Sequence, residues 1–171
     1  MNSNRGERLK KINFYNKLLE MRDRDRERKK GGVAIVKGKE LPWEINCQGR
    51  MRWYLHPDID DTVNNSMMIY VQEIPPGGQS GRIRFQGGQV IYIISGRGYT
   101  LLDGVKHHWK SGDIVQLPLR PDGVIFQHFN EDSENRVQLI AVEANLVAAL
   151  GLDRGSGFEQ LKNCPDFERI Q

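Results

Sequence analysis

The sequence predicts an all-β domain, an antiparallel barrel or sandwich, preceded by a charged helical arm and followed by a short helix and tail. Two observations point there. Short β-rich runs are separated by glycine and proline pairs, and Asp103-Gly104 sits between two apolar runs as a strong two-residue hairpin signal.

Residues 1–32 form the arm. Leu9, Ile12, Leu18 and Leu19, with Phe14 or Tyr15 between them, recur at near-helical spacing, while Glu20, Asp23, Asp25 and Glu27 alternate with arginines. This predicts one amphipathic helix that ends before Gly31-Gly32. From 33 to 145 the pattern changes to strands, expected over 33–36, 67–73, 82–85, 89–94, 98–102, 105–109, 113–117, 124–129 and 137–142. Pro75-Pro76-Gly77-Gly78, Gly87-Gly88, Ser95-Gly96 and Ser111-Gly112 punctuate them. In residues 146–171, Leu146-Val147-Ala148-Ala149-Leu150 reads as a short helix stopped by Gly151, and a Gly-Ser-rich loop follows.

Composition sets outer bounds. A chain of 171 residues with 38% hydrophobic and 27% charged content fits one globular domain with extensions. No apolar run approaches the roughly 20 residues that span a bilayer, and no signal-peptide core opens the chain. A cytoplasmic protein without membrane contact is expected. Cys47 and Cys164 are too few and too far apart in sequence for a disulfide framework. The net charge of +3 conceals an asymmetry: residues 1–30 hold 11 Lys or Arg against 5 Asp or Glu, and the remainder 14 against 17. The signs in the arm are interleaved, so it reads as a solvated face or a docking element, and a nucleic-acid partner is not expected.

Between Gly77 and Asn130 lies a two-part spacing. The first part is G-x5-a-x-b-x3-c-x6-G, running from Gly77 to Gly96, with Ile83, Phe85 and Gln89 at a, b and c. The second is P-x-G-x2-d-x3-N, running from Pro121 to Asn130, with Phe126 at d. This spacing resembles the cupin superfamily, whose two motifs carry His at a, b and d and Glu at c. The resemblance covers roughly residues 67–143 and implies a double-stranded β-helix, or jelly-roll barrel, with a metal held inside it. Here it departs from the pattern. Ile and Phe offer no lone pair, and a single neutral amide is a poor ligand for iron, manganese, zinc or copper. No metal or other cofactor is expected.

Residues at i and i+2 on a strand share a face, so Ile83 and Phe85 are expected to point together into the barrel. A one-residue slip would put Arg82 and Arg84 there instead, and two guanidiniums repel a divalent cation. His128 lies two residues after Phe126 and shares its face. In relatives resembling gentisate-type ring-cleaving dioxygenases, a His at this place accompanies the ligand His. The pocket expected from these motifs is therefore Ile83, Phe85, Gln89, Phe126 and His128, with His128 as the candidate catalytic group. His107 and His108 are neighbours that face opposite ways.

Three functions fit. The preferred one is a metal-free barrel that binds a small aromatic or apolar organic molecule, accessory to aromatic-compound metabolism, with Gln89 and His128 as polar contacts. The second is an enzyme with His128 as acid or base: a metal-independent isomerase or cyclase, or a metal-dependent dioxygenase or decarboxylase built with His107 and His108. The third is a barrel filled by Ile83, Phe85 and Phe126 that acts in assembly. Exposed sheet edges need covering, and a homodimer is expected.

Overall fold

A computed structural model describes residues 3–145 and 159–170. The chain divides into two compact units, Met1–Ile35 with Asp60–Asn64, and Val36–Ile59 with Asn65–Gln171. The expected helix at Leu146 to Leu150 and the loop after it fall outside the described residues.

In the first unit the arm is two helices, not one: α1 (Ser3–Lys10) and α2 (Phe14–Lys30). The break has a local cause. The Asn13 side chain caps α2 by accepting the Asn16 N–H at 3.0 Å, which starts a new helix there. Gly31 caps the other end, and Arg28, Lys29 and Lys30 in the last turn suit the negative end of the helix dipole. The expected apolar face is not buried. Phe14, Tyr15, Leu18 and Met21 are all exposed, and α2 has no buried residue. The strand expected over 33–36 is reduced to an isolated parallel bridge between Val33 and Thr62.

The second unit is built from two antiparallel sheets. Among the described residues eleven strands form them: β1 (Glu44–Asn46), β2 (Gly49–Leu55), β3 (Met67–Ile74), β4 (Arg82–Phe85), β5 (Gln89–Ser95), β6 (Arg97–Leu102), β7 (Val105–Lys110), β8 (Ile114–Leu117), β9 (Val124–Asn130), β10 (Val137–Ala144) and β11 (Glu159–Lys162). One sheet has the order β1-β2-β3-β10-β5-β8 and the other β11-β4-β9-β6-β7. A 3-10 turn, Gly38–Glu40, precedes β1, and a short helix, α3 (Pro165–Glu168), closes the chain.

Local sequence explains the joints. Asp103 and Gly104 both take positive φ, 47° and 87°, the conformation of a two-residue turn whose twist matches the β6–β7 ladder. Gly87, at φ 89°, turns the chain from β4 into β5, and a Cβ there would fall 1.9 Å from the Pro118 carbonyl oxygen. Strict alternation along β4, β5 and β10 sends one side chain in two to the interior. There Ile74, Ile83, Phe85, Ile91, Ile93, Trp109, Leu117, Val124, Phe126, Val137, Leu139 and Ala141 form one core. Each fully buried side chain of this kind contributes about 1.5–3 kcal/mol.

The slipped register is not adopted. Arg82 and Arg84 are exposed, with Arg84 paired to Glu159 at 3.0 Å, while Ile83 and Phe85 are buried. The reason is hydrophobic: slipping β4 by one residue would exchange two apolar side chains for two guanidiniums in the core.

Candidate functional site

The motif positions on β4 and β9 meet inside the barrel. Ile83 and Phe126 are direct partners across β4 and β9, and the Phe85 and Phe126 rings meet edge to face at 5.6 Å. The His128 ring lies 5.1 Å from that of Phe126. Gln89 enters from the other sheet, on β5. All five side chains are buried.

His128 is held by a short polar chain. Its Nδ1 lies 2.8 Å from Thr100 Oγ1, which also accepts the Trp109 indole N–H at 2.9 Å. Indole can only donate, so the single Thr100 proton is free to face His128. Where it does, Nδ1 accepts and the neutral ring carries its proton on Nε2; in the other tautomer Nδ1–H donates to the same oxygen. Burial drives the His128 pKa down to about 4, so the ring is neutral across the physiological range. The backbone is fixed as well, because the His128 N–H donates to Ser80 Oγ at 2.9 Å and Ser80 N–H to the His128 carbonyl at 2.9 Å. A recess of about 350 Å³ reaches this chain, lined by Thr100, Trp109, Leu102 and His107 among others.

Gln89 belongs to a second polar group, which sequence reasoning missed. Its Nε2 donates to Glu143 Oε2 at 3.0 Å and to the Tyr70 hydroxyl at 3.1 Å. Its Oε1 is buried and has no hydrogen-bond partner. Exchanging the amide oxygen and nitrogen does not cure this, since one end still lacks a partner. Burial raises the Glu143 pKa to about 7, against a lowering hydrogen bond from Gln89. Burial, helped by the Glu143 charge, raises Tyr70 well above the ordinary phenol range. The signal for Glu143 was available: Val137, Leu139, Ala141 and Glu143 share one parity on β10, so a carboxyl continues an apolar inward row.

Glu73 is a different case. It lies on the opposite parity of β3 from Tyr70, bonded to Arg50, to Arg136 at 2.7 Å and to Gln138 at 3.0 Å. Burial would raise its carboxyl, but the bonds from Gln138 and Arg50 and the two guanidinium charges hold it below the ordinary carboxylate range.

Tyr92, Tyr99 and Gln116 on the neighbouring strands, and the histidine pair of β7, stay out of the interior. Tyr92 and Gln116 are exposed, and Tyr99 stacks on Phe129 with rings 4.6 Å apart and nearly parallel. His108 lies 3.1 Å from Glu131, and His107 is exposed.

Two facing antiparallel sheets with β4 paired to β9 and β5 to β10, and the two motifs meeting inside, are decisive for the fold. The fold is that of the cupins. An RmlC-like cupin from Shewanella frigidimarina is 16% identical, with a TM-score of 0.51 over 66% of this chain and 91% of that one. A protein with a double-stranded β-helix domain from Klebsiella pneumoniae is 19% identical, with a TM-score of 0.53 over 75% and 96%. The polyketide cyclase RemF from Streptomyces resistomycificus is 14% identical, with a TM-score of 0.55 over 81% and 93%. No protein-family model matches the chain, and no curated protein matches its sequence.

A cupin barrel implies a metal ion, and the donors here do not fit one. Three of the four motif positions carry hydrocarbon side chains, and Gln89 has its nitrogen engaged with Glu143. Among the described residues, no three His, Cys, Asp or Glu side chains gather where they could hold a metal. Among the same residues, no helix is long and apolar enough to cross a membrane.

Proposed function

We propose that this cupin binds a small, largely apolar organic molecule in its barrel without a metal, and that Gln89 is the contact that orients it. The unpartnered Oε1 of Gln89 carries the reading. A buried acceptor left without a donor costs about 1–3 kcal/mol, and a ligand hydroxyl or N–H would recover that. Ile83, Phe85 and Phe126, the other motif positions, belong to the apolar core of the barrel, and such side chains suit an aromatic or aliphatic body.

The test compares phenol with toluene, which differ by the donor. Heteronuclear NMR titration of the wild type is expected to show tighter binding of phenol, with the largest shifts at the Gln89 side-chain amide. Gln89→Leu should remove the preference while leaving toluene binding intact. Equal affinities in the wild type would refute the assignment of Gln89. So would about one equivalent of iron, manganese, zinc or copper in protein purified without chelators refute the metal-free reading.

A second reading rests on Glu143. Proton transfer needs a group that titrates near the working pH, and Glu143, raised to about 7, meets that condition better than His128, lowered to about 4 with Nδ1 occupied. If the barrel is a metal-independent isomerase or cyclase, Glu143 is the acid or base and His128 a positioning residue. Once a substrate is found, Glu143→Gln should abolish turnover and His128→Asn should only reduce it. The reverse order would return the role to His128.

A further inference from the structure

Outside the barrel wall, the segment that leads into β1 and the end of β2 enclose a recess of about 390 Å³. It is lined by Leu41, Pro42, Glu44, Trp53, His56 and Ile59. Its polar groups are fixed in place. Glu44 Oε1 accepts the Trp53 indole N–H at 2.9 Å and the Asn46 Nδ2 at 2.6 Å. Its other oxygen accepts nothing among the described residues. His56 meets the Trp53 ring edge-on, with centroids 4.8 Å apart, and its Nδ1 accepts the Asp58 N–H at 3.1 Å. A neutral His56 therefore carries its proton on Nε2 and can donate.

The recess thus combines an aromatic face, three apolar side chains, one oriented carboxylate that accepts and one imidazole N–H that donates. Its volume is that of a small-molecule site. We propose that it binds a planar nitrogen heterocycle bearing a ring N–H and a ring nitrogen acceptor, stacked against Trp53, with its N–H on Glu44 and its acceptor on His56. A saturated ring would forfeit the stacking, and a hydrocarbon ring would leave both Glu44 and His56 unanswered. This site does not depend on the barrel reading. Trp53 touches Tyr70, with rings 4.9 Å apart, but none of the six lining residues belongs to the motif positions.

Benzimidazole and 1-methylbenzimidazole are matched probes, because methylation removes the donor and leaves the ring. The Trp53 indole N–H, bonded to Glu44, is the reporter resonance in a proton–nitrogen correlation spectrum. Benzimidazole is expected to shift it saturably and to bind at least about tenfold more tightly than its methylated analogue, the scale of one good hydrogen bond. Glu44→Gln keeps an acceptor for Trp53 and removes the charge, and it should narrow that ratio. Ile59→Ala should weaken both probes together. Gln89→Leu should change neither.

Three outcomes would overturn the proposal: no saturable shift of the Trp53 N–H in the wild type, equal affinity for the two probes, or loss of benzimidazole binding in folded Gln89→Leu. The last would assign the recess to the barrel site. Failure of phenol to prefer the wild-type barrel would leave the recess result untouched.

Discussion

Gln89 and Glu143 are joined by a 3.0 Å hydrogen bond from the amide nitrogen to the carboxyl, on adjacent strands β5 and β10. The bond ties a motif position to an ionisable group that neither motif contains. Burial raises the Glu143 carboxyl against the pull of this bond, and burial lowers His128 on the facing sheet.

Glu143 and His128 act in opposite directions on stability. Glu143 is raised from 4.5 to about 7, so between those values the folded state holds a proton that the unfolded chain has lost, and stability falls as pH rises. His128 is lowered from 6.5 to about 4, so between those values the unfolded chain holds the extra proton, and stability rises with pH. In the wild type the two slopes offset each other over most of pH 4.5–6.5. Glu143→Gln should expose the rising slope and His128→Asn the falling one, each worth about 1–3 kcal/mol across its window. Urea midpoints measured at half-unit pH steps would check this, and parallel profiles for both variants would contradict it.

Thr100→Val should cost about 2–4 kcal/mol, since it keeps the shape but leaves both the Trp109 N–H and the His128 Nδ1 buried without a partner. Thr100→Ser keeps the hydroxyl and should recover most of that. Chemical denaturation gives the loss, and the His128 ring nitrogen shifts report the tautomer. A change below about 0.5 kcal/mol in Thr100→Val would show that the chain contributes little.

Glu73→Gln should destabilise by about 1–3 kcal/mol. The loss is smaller than for a fully buried pair because Arg50 and Arg136 remain partly in water. Glu73 is held below the ordinary carboxylate range, so its contribution is present at neutral pH. It is lost as acidification passes through its lowered pKa. The wild type and the variant should therefore converge in stability at strongly acid pH. A constant gap down to that range would place the effect in packing instead.

How much could be read from the chain differs by element. The barrel strands from Met67 to Ala144 were legible because their turns carry residues with few alternatives, such as Asp103-Gly104 at positive φ and Gly87 beside the Pro118 carbonyl. β1 and β2 were not, since Arg50 and Arg52 interrupt the apolar pattern. Those arginines lie over Trp43 at 4.5 and 4.1 Å, a contact that hydrophobic periodicity does not detect. Val33 to Val36 had the composition of a strand but makes only one bridge among the described residues. The inward placement of Ile83, Phe85, Gln89, Phe126 and His128 was legible from spacing. The inward parity of Glu143 was legible too, but its approach with Tyr70 to Gln89 was not, because that depends on β3, β10 and β5 lying side by side, which local patterning does not specify.

The bond between Gln89 and Glu143 also bears on whether this barrel could be given a metal by installing the ligands of the cupin motifs. Gln89→Glu would restore the motif's carboxylate but set it about a hydrogen bond's length from a second one. Two carboxyls that close share a proton rather than ionise together. The restored residue would arrive already neutralised by its neighbour. In this chain the first step towards the motif's ligand set therefore leads to an acid dyad, and a metal centre would also require Glu143 to give way.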